Sequence, residues 1–161
     1  MCASYHRAVL TIRPATEDDA HRLFEWANDP GTRANSFNGD PIQWDTHTAW
    51  LAAILNDPQR SLYILEAPTP AGVVRLDRGA TGVEVSITIA PDRRGEGLAK
   101  AALKAICVPL TVPQLAWIKP RSEASRRAFV GAGFVLAETF PDRLLYVHDG
   151  FARAAALNGS P

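Results

Sequence analysis

The chain alternates between two hydrophobic periods. Residues 8–13 (AVLTIR) form a short apolar run closed by Pro14 and read as a strand. Thr16 then caps a helix, with Asp19 three residues on as its capping-box partner. Ala20, Leu23, Phe24 and Ala27 recur at the three-to-four spacing that buries one helix face. Asn28-Asp29-Pro30-Gly31 breaks that helix, and a polar loop, TRANSFNGDPIQW, follows. Asp45 is the expected cap of a second helix, whose stripe is His47, Trp50, Leu51 and Ile54 and whose end is Asn56-Asp57-Pro58.

The period then shortens to two. Residues 61–67 and 72–77 predict a hairpin. Residues 82–90 give the clearest strand, with Val83, Val85, Ile87 and Ile89 alternating with Glu84, Ser86 and Thr88. Pro91 and Asp92 end it. A helix follows on Ala99, Ala102, Leu103 and Ile106, and Pro109 stops it. Residues 114–119 predict a strand, and a last helix runs from about Ser122 to Val130. Residues 134–140 and 144–148 predict a closing strand pair. The order β-α-α-β-β-β-α-β-α-β-β predicts an α/β fold around one mixed central sheet of about seven strands, flanked by about four helices.

Composition narrows the class. The 161 residues suit one domain, and 47% hydrophobic with 21% charged residues describes a soluble globular chain. The tail from about residue 150 packs as a short helix or stays loose. Seventeen basic residues balance seventeen acidic ones, which argues against broad nucleic-acid binding. Three of the basic residues are Lys100, Lys104 and Lys119, so fourteen are arginines, whose planar forks suit phosphate and carboxylate. Cys2 and Cys107 make no disulfide framework and read as reduced thiols of a cytoplasmic protein. The first residues do not form a signal peptide, no apolar run is long enough to span a bilayer, and no cluster has metal-ligand spacing.

The sharpest chemical signal is Arg94-Gly95-Glu96-Gly97-Leu98-Ala99 between a strand and a helix. Phosphate binding at a helix start needs outward backbone N–H groups unobstructed by side chains, and Gly95 and Gly97 supply that access. Arg93 or Arg94 can add a charge-assisted contact. A Walker A loop lacks its Gly-Lys-Ser/Thr here, and Lys100 stands where a dinucleotide fingerprint wants a small residue. The plain alternative is a tight turn that merely needs two glycines.

Arg94-x-x-Gly97-x-Ala99 resembles the acetyl-coenzyme A motif of the GNAT family of N-acetyltransferases. The resemblance runs from IRPATEDD near the start to ASRRAFVGAGF near the end, nearly the whole chain. It implies that the sheet splays between its fourth and fifth strands. It implies that acetyl-CoA lies along Ile87, Thr88 and Ile89, with its pyrophosphate on residues 94–99. It also implies direct attack of an amine on the thioester.

Two positions depart from the family pattern. Ser122 stands where Asn often touches the cofactor arm. Phe129 stands where Tyr often protonates the leaving thiolate, and a phenyl ring has no proton to give. Ser125, Tyr146 or water are the replacements. Arg126 and Arg127 either reach a cofactor phosphate or form a solvated helix face.

Attack requires a neutral amine, so a base is needed. Glu84, on the strand beside the thioester, is the candidate, directly or through water; the plain alternative is a solvent-facing strand carboxylate. Ser86 shares its face. Family analogy assigns the oxyanion to a main-chain N–H near Ile87 or Thr88.

The segment WANDPGTRANSFNGDPIQWDTHTAWL resembles the N-acetyltransferases of nonulosonic acid synthesis, which acetylate the 4-amino group of a nucleotide-linked amino-deoxysugar. By that resemblance Arg33, Asn35, Ser36, Phe37, His47 and Trp50 line the acceptor pocket, supported by Arg75 and Asp77. A lone histidine such as His47 on an apolar face is otherwise more often a satisfied core residue. Two rival functions are acetylation of another amine (a protein N-terminus, an amino acid or an antibiotic) and a non-catalytic CoA-binding module. A monomer and a homodimer both stay open.

Overall fold

The computed structural model describes residues 9–107 and 109–149; Cys2 and the tail from residue 150 lie outside them. In chain order the elements are β1 (Thr11–Pro14), α1 (Ala20–Asn28), α2 (Pro30–Asn35), α3 (Trp44–Leu55), β2 (Arg60–Glu66), β3 (Pro70–Gly79) and β4 (Gly82–Ile89). Then come α4 (Leu98–Cys107), β5 (Gln114–Ile118), α5 (Glu123–Gly131), β6 (Val135–Thr139) and β7 (Leu144–His148). The strands form one seven-stranded sheet in the order β1-β2-β3-β4-β5-β7-β6. Every neighbouring pair is antiparallel except β4 and β5.

The alternation along the strands divides the core into two layers. Leu23, Trp26, Leu51 and Ile54 of α1 and α3 pack on Leu62 and Ile64 of β2. Leu103 of α4 and Phe129 of α5 pack on the other face, against Val74, Val85, Ala116 and Phe134. Leu103 and Phe134 are fully buried, each contributing roughly 1.5–3 kcal/mol of transfer free energy.

Among the described residues five α-helices form, against the expected four or so. Asn28-Asp29-Pro30-Gly31 does end α1, but it also starts α2. Asp29 Oδ2 accepts from the Thr32 N–H at 2.9 Å, and Pro30 occupies the first turn, where its missing N–H costs nothing. Asp45 is not the cap of α3. The helix begins one residue earlier, Gln43 is the N-cap, and its carbonyl accepts from the His47 N–H at 3.0 Å. Asp45 sits in the first turn, where its charge suits the helix dipole. Thr16 precedes a short 3-10 turn, Glu17–Asp19, and its N–H donates to Asp19 Oδ2 at 3.0 Å. Asp19 is buried and gripped by both terminal nitrogens of Arg13 at 2.8 Å. That contact holds its carboxyl below the usual carboxylate range.

The sheet opens at one place. β4 and β5 pair only at Val83↔Gln114 and Glu84↔Leu115. They are pinned at Gly82, which has φ +145° and whose added Cβ would meet the Pro113 carbonyl oxygen at 2.3 Å. Beyond Glu84 the strands diverge, while β5 continues paired to β7 through Ile118.

Candidate active site

The divergence creates a cleft of about 790 Å³. It also frees backbone donors. Val83 N–H donates toward β5, to Pro113 O at 2.9 Å, and Ala90 N–H donates toward β3, to Ala71 O at 2.8 Å. Strand alternation therefore aims the N–H groups of Ile87 and Ile89 at the β5 side, beyond the last paired residue. The Thr88 N–H points to β3, so of the two donors named from sequence only the Ile87 N–H faces the opening. Ile87, Thr88 and Ile89 all line the cleft.

One end of the cleft is the glycine turn before α4, the phosphate cradle expected from the sequence. Gly95 and Gly97 take φ +83° and +77°, values that L side chains seldom adopt, and a Cβ on either would meet only open space. The Gly97 carbonyl accepts the first helical bond, from Ala101 N–H at 3.2 Å. The N–H groups of Leu98, Ala99 and Lys100 consequently have no partner within the helix. Such a turn at a helix start fits a pyrophosphate.

The side chains around the cradle correct several expectations. Glu96 does not line the cleft; its carboxylate accepts from Arg93 at 2.8 Å through both oxygens. Arg94 lines the cleft, but its guanidinium is ion-paired to Asp29 and donates to Thr32 Oγ1 at 3.1 Å. Arg126 turns away, donating to Tyr146 Oη at 3.4 Å and to Pro120 O at 3.2 Å. Arg127, one residue on, lines the cleft instead, as does Lys100. Tyr146 is buried on β7 in the core with Phe129, and it is not among the cleft residues. Phe129 also packs in that core, edge-on to Phe134 with 4.9 Å between centroids, and unlike Tyr146 it still borders the cleft. Ser125 lines the cleft. Ser122 is buried at its wall, and its hydroxyl donates to Asn35 Oδ1 at 2.7 Å.

A second space of about 370 Å³ lies between α1, α3 and the sheet. Thr32, Ser36, Arg75, Ser86 and Thr88 border both spaces. Glu84 and Ser86 lie on the β4 face turned away from the buried Val83 and Val85, and Glu84 makes no ion pair among the described residues. His47 and Trp50 line the second space. His47 is 2% exposed, its Nε2 lies 2.9 Å from the Ala20 carbonyl, and burial lowers its pKa. It is thus a satisfied core histidine and a pocket wall at once.

Arg33 borders the second space but is committed to the loop. It donates to the carbonyls of Ala27, Asn38 and Asp40 and to Ser36 Oγ. A diphosphate would have to compete with all four, so Arg33 is a loop clamp. Arg75 differs. Its Nε lies 2.8 Å from Asp77 Oδ2, and its terminal nitrogens have no partner among the described residues. Asp77 lines neither space; it is held between Arg60 and Arg75, each at 2.8 Å. Asn35, Ser36 and Phe37 reach the main cleft. Sequence reasoning missed Thr32, Trp117 and Lys119, which also line it. For Trp117 parity gives half of the signal, setting it opposite the buried Ala116 and Ile118; the other half is the splay, which the sequence does not announce.

A splayed mixed sheet, a glycine turn at a helix start and an adjoining second chamber suit an enzyme that brings a phosphate-bearing cofactor to a second substrate. Residues 9–135 match the family model described as the acetyltransferase (GNAT) domain, and the chain belongs to that family. The family's cofactor is acetyl-CoA. No curated protein sequence matches significantly. Among solved structures, an acetyltransferase from Thermus thermophilus superposes with TM-score 0.75 at 22% identity, over 89% of this chain and 98% of that one. A spermidine N-acetyltransferase from Vibrio cholerae, in complex with CoA and spermine, gives 0.72 at 17%, over 86% and 92%. The aminoglycoside acetyltransferase AAC(6')-Ib, in complex with CoA and kanamycin, gives 0.73 at 18%, over 90% and 98%. These likenesses carry the fold. Among the described residues no helix is long and apolar enough to cross a membrane.

Proposed function

We propose that the chain transfers the acetyl group of acetyl-CoA to a primary amine, the 4-amino group of a nucleotide-linked amino-deoxysugar. The observation that carries this reading is the charge of the acceptor side. Among the described residues lining the two spaces, Glu84 is the sole carboxylate. Asp29 and Asp77 stand nearby but are neutralised by Arg94, Arg60 and Arg75. The Vibrio and aminoglycoside enzymes take acceptors with several ammonium groups. A polycation would find one partner here and would meet Arg75. An acceptor with one amine, an apolar or hydroxylated body and an anionic group suits the walls better: Trp26, Trp50 and Leu62 for the body, Arg75 for the anion.

Acetyl-CoA, when bound, supplies the activated thioester. Glu84 accepts the ammonium proton, directly or through one water, and Ser86 orients the amine. The Ile87 N–H donates to the carbonyl oxygen where negative charge develops. Ser125, the cleft-lining hydroxyl of α5, would relay the second proton of the amine nitrogen to the sulfur, so that the amide forms as the C–S bond breaks and coenzyme A leaves as the thiol. Acetylation of UDP-linked 4-amino sugars, simple amines, peptides, spermidine and kanamycin, run side by side, tests the assignment. We expect turnover of the nucleotide sugar alone. A faster rate with spermidine or kanamycin would discard it.

A further inference from the structure

At one wall of the main cleft, a guanidinium that lines neither chamber lies against two aromatic rings that do line the cleft. The Arg143 Cζ is 4.8 Å from the Phe37 ring centroid and 5.9 Å from that of Trp117. Phe140 backs Trp117 at 5.8 Å. These groups come from three separated segments: the loop after α2, strand β5, and the turn between β6 and β7. Phe37 is 47% exposed, although it borders the cleft, and the Arg143 side chain is 43% exposed. A half-bare phenyl ring at a cleft wall, with a planar cation beside it, is an unfinished stack.

We propose that Phe37, Trp117 and Arg143 form a clamp for the planar base of the nucleotide carried by the acceptor. The base stacks on Phe37 between it and Trp117, and Arg143 shifts to the adjoining phosphate while keeping its contact with Asp142. Base-on-ring stacking of this kind is worth about 1–3 kcal/mol per base. Position assigns the clamp to the acceptor rather than to the cofactor. Carrying the register Val83↔Gln114 three residues on sets Trp117 level with Ser86, in the middle of β4, whereas the phosphate cradle lies beyond the end of that strand. The proposal rests on the nucleotide-sugar reading only in taking the base to be part of the acceptor.

The test titrates UDP into the full chain saturated with CoA, so that the cofactor's own adenine site is filled. Wild type should bind UDP. Phe37→Ala and Arg143→Ala should each weaken it at least tenfold, Phe37→Trp should hold it within about threefold, and CoA affinity should not move in any of them. Absence of UDP binding to wild type, or unchanged binding to Phe37→Ala, overturns the clamp. A matching loss of CoA affinity overturns it too, because the base held would then be the cofactor's. A parallel assay compares the UDP-linked amino sugar with the same sugar 1-phosphate. Equal kcat/KM for both would discard the clamp and leave the amino-sugar reading standing. UDP binding that depends on Phe37, with no amino sugar turned over, would uphold the clamp and discard that reading.

Discussion

Arg94, the first residue of the glycine turn, is ion-paired to Asp29, the N-cap of α2, sixty-five positions earlier in the chain. The same guanidinium donates to Thr32 Oγ1, and Thr32 borders both chambers. At its other end α2 is held by Ser122 on Asn35, and by Lys119 and Arg121 on the Ala34 carbonyl, both at 3.1 Å. A short helix thus ties the glycine turn to the segment after β5, through Arg94 at one end and Lys119, Arg121 and Ser122 at the other. We expect Arg94→Gln to raise the KM of both substrates about twofold to fivefold, as loss of a half-exposed pair worth about 0.5–1 kcal/mol implies. Bisubstrate kinetics check this. A rise confined to acetyl-CoA would mean that Arg94 serves the phosphates alone.

Gly97 separates conformation from charge in the cradle. Its φ of +77° penalises any side chain by roughly 1–2 kcal/mol, although the space around it is open. Gly97→Ala should therefore weaken CoA only several-fold. Gly97→Asp adds a negative charge facing the pyrophosphate, and like charges about 4 Å apart near a surface repel by roughly 1–4 kcal/mol. We expect Asp to bind CoA at least tenfold more weakly than Ala by calorimetry, with the gap narrowing as salt is added. Equal affinities would remove the phosphates from this turn.

Most of the fold is legible in the chain because the strands and the long helices obey simple periods. The alternation of residues 82–90 survives as full burial at Val83 and Val85, while Ile87 and Ile89 are only partly buried where the cleft opens; of the stripe Ala99, Ala102, Leu103 and Ile106, Ala102 and Leu103 are buried, Ile106 packs beside them and Ala99 lines the cleft. What escapes is local and tertiary. α2 hides behind Pro30, which reads as a breaker yet can open a helix when an Asp precedes it. The duty of Arg33 depends on three carbonyls that fold back around it, and no spacing announces them. Tyr146 was open to a parity argument. Leu144, Tyr146 and His148 are all buried, so this face of β7 meets the core rather than the cleft. Trp117 becomes a site residue only once β5 is known to leave β4 at Leu115.

Glu84 should reveal itself through pH. If it takes the proton of the acceptor ammonium, Glu84→Gln removes the proton acceptor while preserving shape. We expect kcat/KM to fall by about 10²–10⁴-fold near neutral pH, the usual contribution of a positioned base. The deficit should shrink above about pH 9, where an aliphatic amine sheds its own proton to bulk water. A pH–rate profile of both proteins decides it. Parallel curves across the whole range would leave Glu84 as a strand carboxylate without a chemical duty.

His47 links the acceptor pocket to stability. A carbonyl can only accept, so Nε2 carries the proton toward Ala20 O. Burial disfavours the imidazolium and lowers the folded-state pKa below the usual value of about 6.5, with the Ala20 contact opposing in part. Above that value the folded and unfolded chains both hold neutral histidine, and His47 adds no pH dependence. Below it the unfolded chain takes up the proton first, so stability falls as pH drops from about 6.5 toward the lower folded pKa, and then levels off. The Tm should accordingly drop between pH 7.5 and 5.5. His47→Gln retains a donor for the Ala20 carbonyl but cannot titrate, so its drop should be smaller by the His47 share. Thermal melts of both proteins at the two pH values test the assignment, and equal drops would place the acid sensitivity elsewhere.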